Sequence, residues 1–300
     1  MILITGATGF VGTHVLRELR DRGETVAALV RATQKAGAPA RLGAAVREGD
    51  VTDPVSLKVA CQGVDRVVHL VAIIRERGKA TFQAVNVEGT RHLAEAAAQA
   101  GVRHFVHLSA LGAGPDPRLR YTYSKWLGEE AVRSSGVPWT IIRPSVIFGE
   151  GFGFVDRLVQ AVNMTPGLVA VPGSGRTLFQ PVWAGDVARV VARVLAEGAP
   201  HFGQAYEIGG PEHLSYEQML DIVMRSLGVR KRKVHVPLFL VRPALAVMER
   251  VLPDPPATTT ELAQLAKDNI TAPDSIERAF GFRPRSFTAD PMLGSKGAGG

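Results

Sequence analysis

The sequence predicts an α/β fold in which helices cover both faces of a doubly wound parallel β-sheet, followed by a smaller mixed region. Short apolar segments alternate with segments of helical periodicity through the first half of the chain, and a glycine-rich turn joins the first of each kind. The 300 residues, 46% of them hydrophobic and 21% charged, are enough to bury a large core. We expect a sheet-containing core over residues 1–150, an interleaved C-terminal region over 151–293 and a disordered tail over 294–300.

The first element is a strand that runs directly into the glycine turn. Residues 1–4 are apolar, residues 5–12 read Thr-Gly-Ala-Thr-Gly-Phe-Val-Gly, and apolar residues then recur at helical spacing. Such glycines permit a tight turn, expose the main-chain N–H groups of a helix N-terminus and leave no Cβ between helix and strand. This context predicts a pyrophosphate-binding turn; the alternative is a turn of the same shape without a ligand. The predicted contacts come from Gly6, Thr8, Gly9, Phe10, Val11 and Gly12.

The second strand, residues 25–30, ends at Arg31. In dinucleotide-binding sheets this end meets the adenosine ribose, where an acidic residue favours NAD and a basic residue pairs with the 2′-phosphate of NADP. Arg31 therefore favours NADP(H), with NAD(H) as the alternative. A charge-assisted contact of this kind contributes about 1.5–3 kcal/mol. An arginine that is merely exposed on a loop is the competing interpretation.

Further candidates lie at the ends of the next strands, predicted near residues 46–53, 64–72 and 104–109. Asp50 is placed to meet an adenine amino group, whereas Asp53 is interpreted as the N-cap of a helix that begins at Pro54. His69 lies inside an apolar run and is interpreted as a packed residue. The other predicted cofactor contacts at these ends, and on the helix predicted over 81–100, are Val51, Val71, Ala72 and Asn86.

Three polar residues predict acid–base chemistry. Ser109 closes the fifth strand, and Tyr121 and Lys125 are four residues apart, so they project from one face of the following helix. A phenol has a pKa of about 10, and a nearby ammonium together with an oxidised nicotinamide brings that pKa toward neutrality. We expect Tyr121 to exchange a proton with a substrate oxygen, Ser109 to hold that oxygen, and Lys125 also to reach the nicotinamide ribose. An ordinary amphipathic helix has the same Tyr–Lys spacing, so the prediction depends on the glycine turn in the same fold.

Four other positions complete the predicted site. Tyr123 is offset by two residues from Lys125 and is assigned to the substrate pocket or to packing. Pro144 and Val146 follow the sixth strand and are expected beside the nicotinamide carboxamide. Gln180 precedes a predicted helix and is a candidate substrate residue.

With these residues in hand, the chain resembles the extended short-chain dehydrogenase/reductase superfamily, which is NAD-dependent epimerase/dehydratase-like with a Rossmann-type core. The glycine turn and the residues Asp50, Asn86, Ser109, Tyr121, Lys125, Arg143 and Pro144 carry the match. Segments 180–188, 206–212 and 237–269 are similar to the atypical branch that contains the 39 kDa (NDUFA nine-type) accessory subunit of respiratory complex I and its bacterial relatives. The resemblance implies NADPH binding, with either hydride transfer or a structural role in a respiratory assembly.

Charge, cysteine content and hydropathy limit the partners. The net charge is +7, but the tight basic run at 230–233 has no interleaved aromatic residues to stack on bases, so no nucleic-acid partner is expected. A single cysteine, Cys61, predicts a buried thiol and excludes an intramolecular disulfide; we predict no metal site. No apolar stretch reaches the roughly 20 residues of a membrane-spanning helix, and a strand that starts at Met1 leaves no room for a secretion signal. The expected location is the cytoplasm.

The apolar segment 238–252, which Arg242 and Pro243 interrupt, is interpreted first as a core or domain-packing helix. The basic run just upstream makes a helix on the inner face of the membrane, or on a protein partner, the alternative.

Three functional hypotheses follow. The leading one is an NADP(H)-dependent oxidoreductase, or a sugar-nucleotide epimerase/dehydratase relative, acting on an unidentified small substrate. The second is a non-catalytic NADPH-binding module that docks on a respiratory complex I-type assembly. An RNA-binding protein of the same fold rests on net charge alone and ranks last.

Overall fold

A seven-stranded parallel sheet organises the computed structural model, which describes residues 1–32, 37–149, 154–251, 258–265 and 267–288. In chain order the strands are β1 (Ile2–Thr5), β2 (Val26–Val30), β3 (Ala45–Glu48), β4 (Arg66–His69), β5 (His104–Leu108), β6 (Trp139–Pro144), β7 (Ile147–Phe148), β8 (Leu168–Pro172), β9 (Leu178–Phe179), β10 (Val182–Trp183), β11 (Gln204–Ile208), β12 (Leu214–Ser215) and β13 (Arg232–Val236). The sheet has the order β11-β6-β5-β4-β1-β2-β3. The order reverses between β1 and β4, the switch point at which such sheets bind ligands. The doubly wound fold is thus confirmed.

Helices connect these strands. In chain order they are α1 (Phe10–Asp21), α2 (Gly37–Arg41), α3 (Pro54–Ala60), α4 (Gly89–Gln99), α5 (Arg120–Ser134), α6 (Phe154–Asn163), α7 (Ala184–Glu197), α8 (Tyr216–Ser226), α9 (Leu238–Val251), α10 (Thr259–Leu265) and α11 (Ser275–Phe280). A π-helix, Phe82–Glu88, runs into α4, and a 3₁₀ turn, Ala199–His201, follows α7. The sequence suggests a loop over residues 32–43, but the structure has α2 there, because Pro39 sits in the first turn and removes no helical hydrogen bond.

The chain divides into two compact units. Residues 1–144 and 184–208 form the first, and residues 145–183 and 209–300 form the second. The segment 184–208, which the sequence analysis assigns to the C-terminal region, belongs to the first unit because β11 pairs with β6 and α7 packs on α1.

The core of the first unit explains its apolar strands. Every residue of β1 and β2 is buried, since helices cover both faces of a parallel sheet. Helix α1 contributes a buried stripe of Gly12, Val15, Leu16 and Leu19, and Asp53 caps α3 by accepting from Val55 N. Edge strand β3 is only partly buried.

The second unit combines three two-stranded sheets, β7–β10, β8–β13 and β9–β12, with its helices. Its core includes Phe148, Val169, Met219 and Phe287. A capping box begins α8: Ser215 Oγ accepts from Gln218 N at 3.1 Å, and Gln218 Oε1 accepts from Ser215 N at 2.7 Å.

Helix α9 is only partly a packing helix. Leu245 is buried, whereas Phe239 and Val251 are 73% and 72% exposed, so the core-packing interpretation holds for one side of the helix only. Among the residues that the structure describes, no helix is both long enough and apolar enough to cross a membrane. The tail predicted over 294–300 lies outside the described residues.

Candidate dinucleotide site and tyrosine–lysine centre

The glycine turn packs closely between β1 and α1. Gly6 has a φ of +78°, and Gly9 N donates to Gly6 O at 2.9 Å. A Cβ at Gly12 would lie 2.0 Å from Gly6 O and 2.8 Å from Ala7 Cα, so any side chain there would push α1 off the turn. The turn thus requires glycine at position 6 for its conformation and at position 12 for its contact.

The N-terminus of α1 has the features of an anion site. Gly9 is its N-cap, no side chain caps the helix, and its first turn contains no acidic residue. Thr13 N donates to Gly9 O at 3.0 Å, so the N–H groups of Phe10, Val11 and Gly12 lie ahead of the helical hydrogen bonds. Aligned N–H groups at the positive end of a helix dipole match a pyrophosphate. The residues present therefore fit the phosphates of a dinucleotide.

Two neighbouring strand ends flank this turn. Arg31 directly follows β2 and is exposed, and it forms no ion pair with the described residues. Val71 and Ala72 follow β4 on the other side of β1; Val71 is half-buried and Ala72 is exposed. The sheet thus brings the three residues to the edge that carries the glycine turn.

Asp50 and Val51 follow β3, the next strand along. Asp50 Oδ1 accepts from both Thr52 N and Thr52 Oγ1, each at 2.9 Å, so this carboxylate holds its own turn. Val51 is buried beneath α4, where a Cβ at Gly89 would lie 2.9 Å from Val51 Cγ2. The adenine contact of Asp50 stays a prediction.

Asn86 clamps the segment that follows β4 to α5. Its Oδ1 accepts from Ile73 N at 2.8 Å, and its Nδ2 donates to Ile73 O and to Ser124 Oγ, each at 3.0 Å. Ser124 Oγ in turn donates to Tyr121 O at 2.7 Å. The side chain, buried within the π-helix, therefore positions the tyrosine helix, whereas the sequence alone indicates only a cofactor contact.

Ser109 and Lys125 meet at the end of β5. Lys125 is 1% exposed, and its Nζ donates to Leu108 O at 2.8 Å, one residue before Ser109. Ser109 is buried, and its Oγ forms no well-aligned hydrogen bond with the described residues, although its hydroxyl helps to lower the pKa of the nearby Glu129 carboxyl. Tyr121 and Lys125 both lie in α5, one turn apart on one face. The geometry thus joins the lysine to the serine through a main-chain carbonyl.

Burial sets the protonation of this centre. It raises the pKa of the Tyr121 phenol from 10.0 to about 12 and lowers the pKa of Lys125 from 10.5 to about 8, although the Glu129 carboxylate partly offsets the second shift. In the chain itself the lysine does not bring the phenol toward neutrality, contrary to what its spacing suggests. In the chain itself, burial therefore keeps the Tyr121 phenol protonated near neutrality.

Two buried histidines lie beneath the lysine. His69 and His107 stack with ring centroids 5.3 Å apart. His69 contacts Thr5 Oγ1 at 2.6 Å and Thr90 Oγ1 at 3.0 Å, so it is the packed residue that the sequence indicates, held by side chains of β1 and α4. Burial and then the charge of Lys125 lower the pKa of both imidazoles, which keeps them neutral. They support the site without competing for protons near neutrality.

Glu129 is a residue of this region that sequence reasoning missed. Its side chain is fully buried, one turn beyond Lys125, and it receives Arg143 Nε at 2.8 Å, Arg143 Nη2 at 2.6 Å and Arg133 Nη2 at 3.0 Å. Burial alone would raise the pKa of Glu129, but the Arg143 hydrogen bonds hold it below its usual value. The pair fixes α5 to the end of β6. A carboxylate four residues after the lysine, together with an arginine ahead of Pro144, is the sequence signal for it.

Tyr123 and Pro144 occupy other parts of the first unit. The Tyr123 ring stacks on Trp126, with centroids 5.7 Å apart. Pro144 is buried at the end of β6, where its carbonyl accepts from Leu111 N at 2.8 Å. Their contacts with substrate and nicotinamide stay predictions.

Val146 and Gln180 belong to the second unit, where Val146 is half-buried. Gln180 is buried; its Nε2 donates to Gly210 O at 2.7 Å and to Ala272 O at 3.2 Å, and its Oε1 accepts from Thr271 N at 2.7 Å. The amide thus ties three backbone segments of this unit together, a role that the sequence did not reveal. Its substrate contact stays a prediction.

The family model for NAD-dependent epimerases and dehydratases matches residues 2–209, which includes the glycine turn and the Tyr–Lys pair. The chain belongs to this NAD(P)-dependent family. The resemblance to extended short-chain dehydrogenases/reductases is thereby confirmed, and so is the Rossmann-type core that it implies.

Individual relatives come from reductases and from complex I. The chain is 30% identical over 294 residues to an NAD(P)H azoreductase of Xenophilus azovorans, covering 96% of this chain and 95% of that protein. It is 26% identical over 276 residues to the 40 kDa subunit of mitochondrial NADH-ubiquinone oxidoreductase of Neurospora crassa, covering 91% and 72%. A solved NADPH-dependent quinone oxidoreductase of Escherichia coli shares the fold, with a TM-score of 0.78 at 23% identity over 95% of this chain and 96% of that one.

The low pKa of Lys125 predicts a specific dependence of stability on pH. Because the pKa is about 8 in the folded chain and 10.5 for an unperturbed lysine of the unfolded chain, the unfolded chain binds more protons between these values, and stability rises with pH through that window. Lys125→Met removes this contribution. From about pH 7 to about pH 10, the unfolding free energy of the wild type should gain about 2 kcal/mol relative to the variant, measured by urea denaturation.

Subtracting the variant removes other titrations from this measurement. Burial raises the pKa of Cys61 from 9.0 to about 11, which changes stability in the opposite direction but equally in both proteins. A difference that stays flat across the window would show that the Lys125 ammonium is not destabilised by burial.

Proposed function

We propose that the protein is an NADP(H)-preferring oxidoreductase or epimerase/dehydratase-like enzyme that acts on a carbon bearing a hydroxyl or carbonyl oxygen of a small substrate. The supporting observation is the hydrogen bond from Lys125 Nζ to the Leu108 carbonyl, which directly precedes Ser109. Lys125 lies on the same helix as Tyr121, and Ser109 follows a strand of the sheet that carries the glycine turn. The cofactor, when bound, supplies a hydride donor or acceptor at nicotinamide C4.

Several residues are proposed to hold the cofactor. Phosphates would bind the N–H groups at the start of α1, and the 2′-phosphate would pair with Arg31. Lys125 would donate to the nicotinamide ribose. The remaining proposed contacts are Asp50, Val51, Val71, Ala72, Asn86, Pro144 and Val146.

Three side chains are proposed to act at the substrate oxygen, and they are those of Tyr121, Ser109 and Lys125. Tyr121 is protonated over the physiological range, because burial raises its pKa to about 12, so it is poised to donate a proton to a carbonyl oxygen. Ser109 Oγ, buried and without a well-aligned hydrogen bond in the described chain, donates a hydrogen bond to the same oxygen. Lys125 lies one turn away on α5, and together with the positive charge of an oxidised nicotinamide it would stabilise the phenolate, which burial disfavours in the chain itself.

The preference for NADP(H) is tested by changing Arg31. Arg31→Asp should lower NADPH affinity by about one to two decades, because a charge-assisted pair is replaced by repulsion of the 2′-phosphate, and should leave NADH affinity equal or higher. Calorimetric titration of cofactor-stripped protein with each nucleotide measures both.

The matched control is Arg17→Asp, which makes the same charge change at an exposed position of α1. Its NADPH affinity should stay near that of the wild type. An equal loss in both variants would mean that net charge, and not a contact at Arg31, sets the preference.

The acid–base role is tested by removing one hydroxyl. Tyr121→Phe should reduce kcat by about 10²–10⁴-fold, as expected for loss of a general acid, with NADPH affinity nearly unchanged. Turnover is followed by NADPH oxidation with a panel of aldehydes, ketones and quinones.

Tyr216→Phe is the control, because Tyr216 is a second buried phenol whose pKa burial raises to about 12, and it lies in the second unit. It should turn over substrate at the wild-type rate. Full activity in Tyr121→Phe would remove Tyr121 from the mechanism.

The Neurospora crassa relative favours a second function. In this alternative the chain is a non-catalytic NADPH-binding module that docks on, or stabilises, a respiratory complex I-type assembly. The tyrosine–lysine centre would then hold the nucleotide without turnover.

A mild-detergent purification from the membranes of its own host decides between them. In the second function the tagged chain and its Tyr121→Phe variant both co-migrate with respiratory subunits in native electrophoresis, since no proton transfer is involved. An active enzyme that brings no respiratory subunit with it would exclude the docking role.

A further inference from the structure

Helix α9 presents an apolar strip to solvent. Phe239, Leu240, Val247 and Val251 are 73%, 56%, 60% and 72% exposed. At 100° per residue they fall within about 120° of the helix circumference, opposite the buried Leu245. Contiguous exposed apolar side chains of this kind mark an interaction surface. These four residues, together with the exposed Arg230, Arg232 and Arg242, form what we name the α9 surface.

The cations beside the strip are arginines. Arg242 is exposed on α9, and Arg230 and Arg232 are exposed on the segment that leads into it through β13. None of the three forms an ion pair with the described part of the chain.

The lysines of the same basic run are already engaged. Lys233 Nζ lies 3.0 Å from Glu217 Oε1 and 2.9 Å from Asp221 Oδ2, while Lys231 Nζ donates to Thr165 O at 2.8 Å. Exposed positive charge on α9 and on the segment that precedes it is therefore carried by arginines.

We infer that the α9 surface binds the face of a lipid bilayer that contains anionic headgroups. A bilayer supplies hydrocarbon for the apolar strip and phosphate for the arginines, without needing a partner of complementary shape. The 14 residues of α9 span about 21 Å, less than the hydrocarbon core of about 30 Å, so the helix lies along the surface. This inference does not depend on the proposed enzymatic function.

Vesicle co-sedimentation of the whole protein tests the inference. Vesicles of phosphatidylcholine with phosphatidylglycerol should pellet the wild type, vesicles of phosphatidylcholine alone should bind it far less, and added salt should weaken binding. Phe239→Glu/Val247→Glu should reduce the partition coefficient at least tenfold, and Arg232→Ser/Arg242→Ser roughly thirtyfold.

Each double variant has a control in the first unit that makes the same change in net charge. Val55→Glu/Val59→Glu changes two apolar residues of α3 that are 71% and 61% exposed. Arg17→Ser/Arg41→Ser removes two arginines that lie away from the α9 surface in sequence and unit. Both controls should bind vesicles like the wild type. The changed side chains lie outside the buried core, so the variants should keep the wild-type melting temperature, which is checked first.

Three results would overturn the inference. In the first, the wild type does not bind the anionic vesicles at low salt. In the second, the variants and their controls lose vesicle binding to the same extent. In the third, Phe239→Glu/Val247→Glu binds the vesicles as well as the wild type does. If the wild type binds no vesicle but sediments as a dimer that Phe239→Glu/Val247→Glu dissociates, the α9 surface binds a second copy of the chain instead.

Discussion

A buried ammonium constrains the centre of the first unit. Lys125 carries its charge with almost no exposure, and such a group persists only where nearby dipoles and charges compensate its lost hydration. The structure supplies the Leu108 carbonyl directly and the Glu129 carboxylate one turn away. A compensated but destabilised cation one turn from a buried phenol makes this centre a candidate for acid–base chemistry. Burial of the Lys125 ammonium therefore lowers the stability of the fold at the place where the proposed chemistry occurs.

Several devices hold the helix that carries this lysine. Asn86 ties the start of α5 to the segment after β4, and Glu129 ties its middle to Arg143 at the end of β6. Between them, His69 bridges β1 and α4 through two threonine hydroxyls. The Asn86–Ser124 and His69–Thr5 contacts join residues 38 and 64 positions apart in the sequence, so the position of Tyr121 depends on the assembled sheet and not on α5 alone. Acid–base groups need such supports because small displacements sharply reduce proton transfer.

The elements that sequence reasoning predicted best depend on local rules. The glycine turn follows from the geometry between Gly6 and Gly12, and the shared face of Tyr121 and Lys125 follows from a spacing of four. What escaped prediction depends on long-range contacts. The hydrogen bonds of Gln180 to Gly210 O and from Thr271 N have no local signature in the sequence. The direction of the Tyr121 pKa shift escaped for the same reason, because burial is a property of the fold.

The buried charges of Glu129 and Lys125 behave differently. Glu129 holds elements of the fold together, whereas Lys125 lies in the centre of the proposed acid–base chemistry. Glu129 is paired with Arg143 through two short hydrogen bonds, so its ionised form is stabilised and its pKa falls. Lys125 has a carbonyl in place of a carboxylate as its hydrogen-bond partner, so desolvation dominates and its pKa falls toward neutrality. A saturated ion pair resists change in protonation and serves to hold elements together. An ammonium held by a neutral dipole has a pKa close enough to neutrality for its charge to respond to its surroundings. The fold therefore places its fixed charge at Glu129 and its responsive charge at Lys125, one helical turn nearer to Tyr121.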